Sequence, residues 1–168
     1  MTLLVNGGYI IKKDSLSEKE KTLLVRSLNV QPEVHGAPQS YGTGDTFPVY
    51  RESTSRYRIP RFFGVETYGK PEHNRLHDGI DISIEFNGKL KDGIGQGIAC
   101  DTVIHQLTDV GGGILSLPTG YGKTTCALYI ATKLAKKTLI VVHKEFLLNQ
   151  WKERVHQFLP TAQIGYIR

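Results

Sequence analysis

The stretch Gly111-Gly112-Gly113-Ile114-Leu115-Ser116-Leu117-Pro118-Thr119-Gly120-Tyr121-Gly122-Lys123-Thr124 constrains this chain more than any other. A short apolar run enters a Pro/Gly-rich turn, and Lys-Thr then opens a helix-forming stretch from Cys126 to Lys136. That order suits a phosphate-binding loop. Glycines let backbone N–H groups curl around an anion, and the helix behind them presents its positive N-terminal end. Lys123 is placed to reach outer phosphates and the Thr124 hydroxyl to hold Mg²⁺. Pro118, Thr119, Gly120, Tyr121, Gly122 and Thr125 complete the candidate nucleotide site, with ATP as the ligand. The match to G-x-x-x-x-G-K-[ST] is imperfect, because Leu117 stands where the first Gly belongs.

The flanking sequence extends the pattern. Residues 113–117 predict a strand. Cys126, Leu128, Tyr129, Ile130 and Leu134 give a mostly buried helix, and Thr138-Leu139-Ile140-Val141-Val142 is the unbroken apolar run of a parallel strand covered on both faces. Lys144 to Phe158 predicts a helix with Leu147, Leu148, Trp151, Val155 and Phe158 inward, and residues 163–167 begin a further strand. The order β–loop–α–β–α–β is the start of a parallel, right-handed α/β sheet with a nucleotide at a strand's C-terminal end. Ahead of it, Ile94 to Asp109 predicts a helix with Ile98, Val103, Ile104 and Leu107 on one side.

The first half of the chain reads differently. Gly8 to Lys13 predicts a strand, and Ser15 with Glu18 has capping-box spacing for a helix carrying Leu16, Leu23, Leu24 and Leu28. Asn29 to Val34 predicts an edge strand, and His35 to Asp45 a Gly/Pro/Ser-rich loop. Phe47 to Ile59 predicts a hairpin turning at Ser53-Thr54-Ser55 and continuing into Arg61-Phe62-Phe63-Gly64. Arg56 and Arg58 are candidate nucleic-acid contacts, since aromatics beside Arg can stack bases while guanidiniums meet phosphates. A small sheet with aromatics inward and Arg in solvent gives the same alternation and is the preferred account. Lys70 to Gly79 predicts a polar linker; His73 and His77 lack the further ligands that zinc needs. Ile80 to Phe86 alternates strictly and predicts a strand, with a turn at Asn87-Gly88 and Lys89-Leu90 returning. The expected division is a small α+β accessory domain over 1–85 and an ATP-binding domain over 86–168.

Charge separates the halves as well. Residues 1–92 hold 13 Lys+Arg against 12 Asp+Glu, whereas residues 93–168 hold 8 against 4, so the excess of the +5 chain travels with the phosphate loop. A polyanionic partner suits that distribution. No run approaches the ~18 apolar residues of a membrane span, and the N-terminus lacks the basic region and apolar core of a signal peptide. Cys100 and Cys126 are too few and too distant for a zinc motif, and read as buried thiols in a reducing, intracellular compartment.

Leu117-Pro-Thr-Gly-Tyr-Gly-Lys-Thr124 resembles motif I of superfamily 2 helicases, where the first Gly is often replaced. Leu139-Ile-Val-Val-His143-Lys144, with the helix through Asn149-Gln150-Trp151 to Arg154, resembles their motif Ia. The likeness is to the branch containing the xeroderma pigmentosum group B helicase and helicases of large DNA viruses, and it covers residues 86–168. It implies a RecA-like P-loop fold whose sheet is incomplete here, ATP with Mg²⁺ as cofactors, and a nucleic-acid partner, DNA before RNA. It also implies a Gln before motif I that helps to recognise adenine, matched approximately by Gln96, and a backbone contact near His143 and Lys144, with Gln150 and Trp151 anchoring the helix behind. A helicase of this kind needs an Asp-Glu box and a second RecA-like lobe that supplies arginines to the γ-phosphate. No Asp follows Asp109. The expectation is therefore the N-terminal portion of a longer ATP-dependent helicase, binding ATP without hydrolysing it as 168 residues. The alternatives are a non-catalytic nucleic-acid-binding module and another P-loop NTPase.

Overall fold

The structure, a computed structural model, describes residues 1–31 and 45–167. Half of the edge strand expected at 29–34 and nearly all of the loop expected at 35–45 lie outside the described residues. The chain folds as two compact units, Met1–Asp78 and Gly79–Arg168, a division seven residues ahead of the one expected at 85/86. The architecture is mixed α/β in its elements, with helices in both units and sheet in the first.

The first unit is built on a five-stranded sheet. Strands β1 (Thr2–Val5) and β2 (Gly8–Lys12) form a hairpin in which Val5 faces Gly8, so Asn6-Gly7 is a two-residue turn. Asn-Gly is the dipeptide such turns favour, and β1 is an element the sequence reading missed. β5 (Arg51–Glu52) and β6 (Arg56–Ile59) form the second hairpin, and β7 (His73–Asn74) adds a parallel strand beside β1, giving the order β5-β6-β2-β1-β7. The supposed linker therefore contributes a strand. The hairpin expected from Phe47 is shorter than its pattern suggested, because β4 (Phe47–Pro48) pairs instead with β3 (Asn29–Val30).

Helix α1 (Glu18–Leu28) starts two residues after the position its capping-box spacing suggested. Ser17, not Ser15, is the cap: its Oγ accepts from the Glu20 N–H at 3.3 Å, and the Glu20 carboxylate accepts from the Ser17 N–H at 2.7 Å. Leu16, Leu24 and Leu28 are buried, whereas Leu23 is exposed. Arg61–Tyr68 is a second helix, α2, and does not continue the hairpin. Pro60 precedes it, and Gly64 sits so close to Tyr9 that a Cβ there would come within 2.4 Å of the ring. Leu4, Tyr9, Ile11, Tyr57 and Ile59 from one sheet face close this core with the α1 leucines. Each fully buried large apolar side chain contributes about 1.5–3 kcal/mol.

The second unit holds three helices: α3 (Gln96–Asp109), α4 (Lys123–Leu134) and α5 (Glu145–Phe158). The inward stripe of α5 follows the sequence pattern through Leu147, Leu148, Trp151, Val155 and Phe158. On α3 it does not, since Ile98 is 76% exposed while Gln96 and Cys100 are buried. Gln96 and Cys100 are buried, and Val103, Ile104 and Leu107 half-buried, at helical spacing, so the expected stripe holds at its last three positions and is headed by a polar residue in place of Ile98. Residues 80–86 keep their alternation, Ile82, Ile84 and Phe86 turning inward, but their pairing reduces to one bridge between Asp81 and Lys136. Asn87 N–H donates to Phe158 O at 2.7 Å, and no return strand forms at Lys89-Leu90.

The strands expected at 113–117, 138–142 and 163–167 carry no ladder among the described residues. Their helices form in the expected places. Ile114, Leu139, Val141 and Ile167 are 75–96% exposed. An uninterrupted apolar run fixes no register, because a slip by one residue exchanges one apolar face for another. A parallel ladder also needs cover on both faces, and these residues have none on one side.

Candidate nucleotide site

The phosphate loop joins residue 117 to the first turn of α4. Gly120 (φ +81°) and Gly122 (φ +94°) both occupy the left-handed region, where side chains are strained. Left-handed residues alternating with an ordinary one, Tyr121, turn successive backbone N–H groups toward a common point, a concavity suited to anions. Gly122 is the N-cap of α4, and no side chain caps the helix. Its first-turn N–H groups therefore stay available, together with the positive end of the helix dipole.

Lys123 lies across this concavity, its Nζ donating to Leu117 O at 3.0 Å and to Pro118 O at 2.9 Å. Pro118, Thr119, Gly120 and Lys123 are exposed, while Tyr121, Thr124 and Thr125 are half-buried. The Thr124 hydroxyl makes no hydrogen bond among the described residues. One ammonium, one spare hydroxyl and a fan of amide donors are the groups that a magnesium-bound triphosphate requires, so these residues fit ATP and Mg²⁺.

Behind the loop, Gln96 is 2% exposed. Its Oε1 accepts from the Lys91 N–H at 2.8 Å and its Nε2 donates to Tyr121 O at 2.5 Å. Tyr121 answers with a 2.5 Å bond from its hydroxyl to Ile94 O. The contact with Gly122 is equally close, since a Cβ there would fall 2.6 Å from Gln96 Nε2. Gln96 thus braces the loop. Its amide bonds to main chain at both ends, a role that the expectation of adenine recognition did not contain. A buried polar residue at the head of an otherwise apolar helical stripe was the available signal.

The floor beneath is apolar. Cys100 and Cys126 are both fully buried, with Cys100 Sγ 3.9 Å from Cys126 O. Burial, with the neighbouring Cys126 second, pushes the Cys100 thiol up from 9.0 to about 12. The pair is a buried packing layer joining α3 to α4.

The candidate nucleic-acid residues of this unit stand at the start of α5. Lys144 is the helix N-cap in extended conformation, and it makes no side-chain cap bond. Val142, His143, Lys144, Glu145 and Leu148 line an open depression of ≈ 340 Å³, and His143 and Lys144 are both exposed. Trp151 packs with Leu128, Val155 and Leu159, whereas Gln150 is exposed and makes no side-chain hydrogen bond among the described residues. Arg56 and Arg58 belong to the first unit, where they project to solvent from β6 while Tyr57 and Ile59 point inward.

The chain is similar to known proteins over the residues that build this loop. Residues 91–167 match the family model described as "Type III restriction enzyme, res subunit". The chain is 28% identical, over 99% of its length, to a protein of Acanthamoeba polyphaga mimivirus named an ATP-dependent RNA helicase, and spans 32% of that protein. It is 33% identical over 75% of its length to a protein of Invertebrate iridescent virus 3 named helicase 109L, of which it covers 41%. A shorter stretch, 28% of the chain, is 51% identical to the DNA 3'-5' translocase XPB2 of Sulfurisphaera tokodaii, covering 11% of it. The chain thus spans roughly a third to two fifths of the first two relatives.

Proposed function

We propose, from the premise that this chain belongs through residues 91–167 to the superfamily 2 helicase group, that it is the ATP-binding portion of an ATP-dependent nucleic-acid helicase or translocase. The observation that carries the reading is the uncapped start of α4, with Gly120 and Gly122 left-handed and Lys123 held across the loop. In this reading the amides of residues 120–125 cradle the phosphates. Lys123 exchanges its carbonyl partners for the outer phosphate oxygens, and Thr124 supplies the hydroxyl ligand to Mg²⁺. Gln96 and Tyr121 act as positioning residues that hold the loop in shape. The bound metal would neutralise phosphate charge.

Hydrolysis needs a carboxylate beside the metal and a group orienting water. The loop region holds neither, and no Asp follows Asp109 in the 168 residues. The chain alone is therefore proposed to bind ATP without turning it over, with a second lobe as its partner in catalysis. His143 and Lys144 are proposed to meet a nucleic-acid backbone at the start of α5. One relative is named for RNA and another for DNA, so oligomers of both should be compared. Among the described residues no helix is long and apolar enough to cross a membrane, and an intracellular site of action is part of the proposal.

The test is a titration with ATP and Mg²⁺ followed by calorimetry. A hydrogen bond to a charged group contributes about 1.5–3 kcal/mol, so Lys123→Ala should weaken binding by roughly one to two orders of magnitude. Unchanged affinity would remove the nucleotide site. ATP turnover by the 168-residue chain that disappears in Lys123→Ala would overturn the claim that it only binds.

A further inference from the structure

The sheet of the first unit has one face packed into its core and one facing away. Strand alternation assigns the outer face to Leu3 and Val5 of β1, Ile10 and Lys12 of β2, Arg56 and Arg58 of β6, and Arg51 of β5. Burial agrees: Tyr9, Ile11, Tyr57 and Ile59 are inside, while the four cations are exposed. The register then sets like charges against each other twice. Arg51 lies directly opposite Arg58, and Lys12 directly opposite Arg56. Like charges directly opposite on a sheet are destabilising, and each pair sits at about 4.5–5.5 Å between Cβ atoms.

Among the described residues, no acid in the strands relieves them on that face. Glu52 is the one acidic residue in the five strands. It stands opposite buried Tyr57, on the other face, and binds Lys13 at 3.0 Å. Among the described residues, none of Lys12, Arg51, Arg56 and Arg58 has an ion pair. The cations also adjoin an apolar wall. Arg51 and Arg58 line an open groove of ≈ 430 Å³ together with Gly7, Pro48, Val49 and Tyr50. A surface serving solubility alone would intersperse both signs. Here two cation pairs without an acidic partner among the described residues are concentrated beside exposed Pro48 and Val49.

We infer that this face, Lys12, Arg51, Arg56 and Arg58 with the Pro48–Tyr50 wall, is a binding surface for single-stranded nucleic acid. Phosphates crossing the paired cations would cancel their mutual repulsion. An unstacked base would lie against the wall, which a duplex, with its bases stacked inside, cannot use. The inference rests on the reading of a nucleic-acid partner, and it is independent of the phosphate loop.

The experiment is fluorescence anisotropy of a labelled 20-mer oligothymidylate with the 168-residue chain, in the absence of nucleotide, from 50 to 200 mM salt. For single strands the log–log salt slope is about −0.7 per phosphate contact. Arg51→Ala with Arg58→Ala, and Lys12→Ala with Arg56→Ala, should each lower affinity about tenfold and reduce the slope by about 1.4. Each double variant should also melt at or above the temperature of the unaltered chain, because repulsion is removed, whereas a structural role would lower it. Unchanged affinity and slope in both variants would overturn the inference. So would equal affinity for a duplex of the same length, or for a heparin oligosaccharide lost with the same substitutions. Because no nucleotide is present, failure here leaves the ATP titration untouched, and failure there leaves this one untouched.

Discussion

The longest helix of the first unit and the three of the second begin in opposite ways. Helix α1 is closed by a complete capping box between Ser17 and Glu20, with Glu18 adding negative charge to its first turn. Helices α3, α4 and α5 follow Gly95, Gly122 and Lys144, and none has a side-chain cap bond. A closed end spends its amide donors on stability, typically ~1 kcal/mol; an open end keeps them for an anion. The contrast continues inward. The first unit joins eight buried residues in one cluster against a paired sheet, whereas the second divides six between two clusters. One unit is arranged around its core and the other around its loop.

The largest effect that would test this contrast concerns the layer beneath the loop. Both thiols of the chain lie in the second unit, so their chemistry reports on that unit alone. Cys100 is raised from 9.0 to about 12 by burial, which lowers its thiolate fraction near neutral pH about a thousandfold. Iodoacetamide at pH 8, followed by peptide mass mapping, should leave Cys100 unmodified while the chain is folded and label it fast in urea. Rapid native labelling would show that α3 and α4 open readily. The sign of the pH dependence follows. A thiol held above its unfolded value contributes stability that is fully present below pH 9 and is lost as pH rises toward about 12. Alkaline melting should therefore weaken the second unit over that window.

What the sequence made legible divides along the same line. The helices of the second unit were readable because Leu147, Leu148, Trp151, Val155 and Phe158 repeat at helical spacing, and spacing is local. The phosphate loop was readable because its glycines and Lys123 are adjacent in the chain. Long-range pairing was not readable. Asn29–Val30 finds Phe47–Pro48, and β1 finds β7, through contacts that no local window contains, whereas the β1–β2 hairpin is local and its Asn6-Gly7 turn was a legible signal. Ser15 and Ser17 each have a Glu three residues on, so spacing alone could not choose between them; Leu16 settles it by burying its side chain ahead of the helix. The two bracing bonds of Gln96 were not readable, since its partners on Lys91 and Tyr121 are main-chain groups without a residue signature. Arg61–Tyr68 was misread because its helix is fixed by Gly64 against Tyr9, 55 positions earlier in the chain.

A smaller effect sharpens the loop side of the comparison by separating conformation from contact. Gly120 (φ +81°) has nothing within 4 Å of a would-be Cβ, whereas at Gly122 (φ +94°) that atom would meet Gln96 Nε2 at 2.6 Å. Gly120→Ala should therefore cost only the left-handed term of ~1–2 kcal/mol, weakening ATP binding by about 5- to 30-fold. Gly122→Ala should cost that and displace the brace as well. Adding Gln96→Ala to Gly122→Ala should recover part of the difference, because the two sites are in contact and their effects do not add. Equal losses at the two glycines, with no recovery in the double variant, would show that the brace does not shape the loop.

The smallest effect belongs to the closed end. Ser17→Ala removes the acceptor for the Glu20 N–H and should lower the thermal midpoint of the first unit by the equivalent of ~1 kcal/mol, read by far-UV circular dichroism. Its signature is in acid. The bond from the Ser17 side chain, then that from the Ser17 backbone, holds the Glu20 carboxyl below its usual 4.5. A lowered carboxyl stabilises the fold above its unfolded value and loses that contribution as pH falls through the folded one. Ser17→Ala should therefore reduce stability at pH 7 and flatten the acid limb below pH 4.5 at the same time. A variant that lost stability equally at pH 7 and pH 3 would have lost only the neutral bond from the Glu20 N–H to Ser17 Oγ, and the Glu20 carboxylate would then add nothing through the Ser17 side chain. The same substitution should leave the ATP titration unchanged, because the cap residues and the phosphate loop belong to different units.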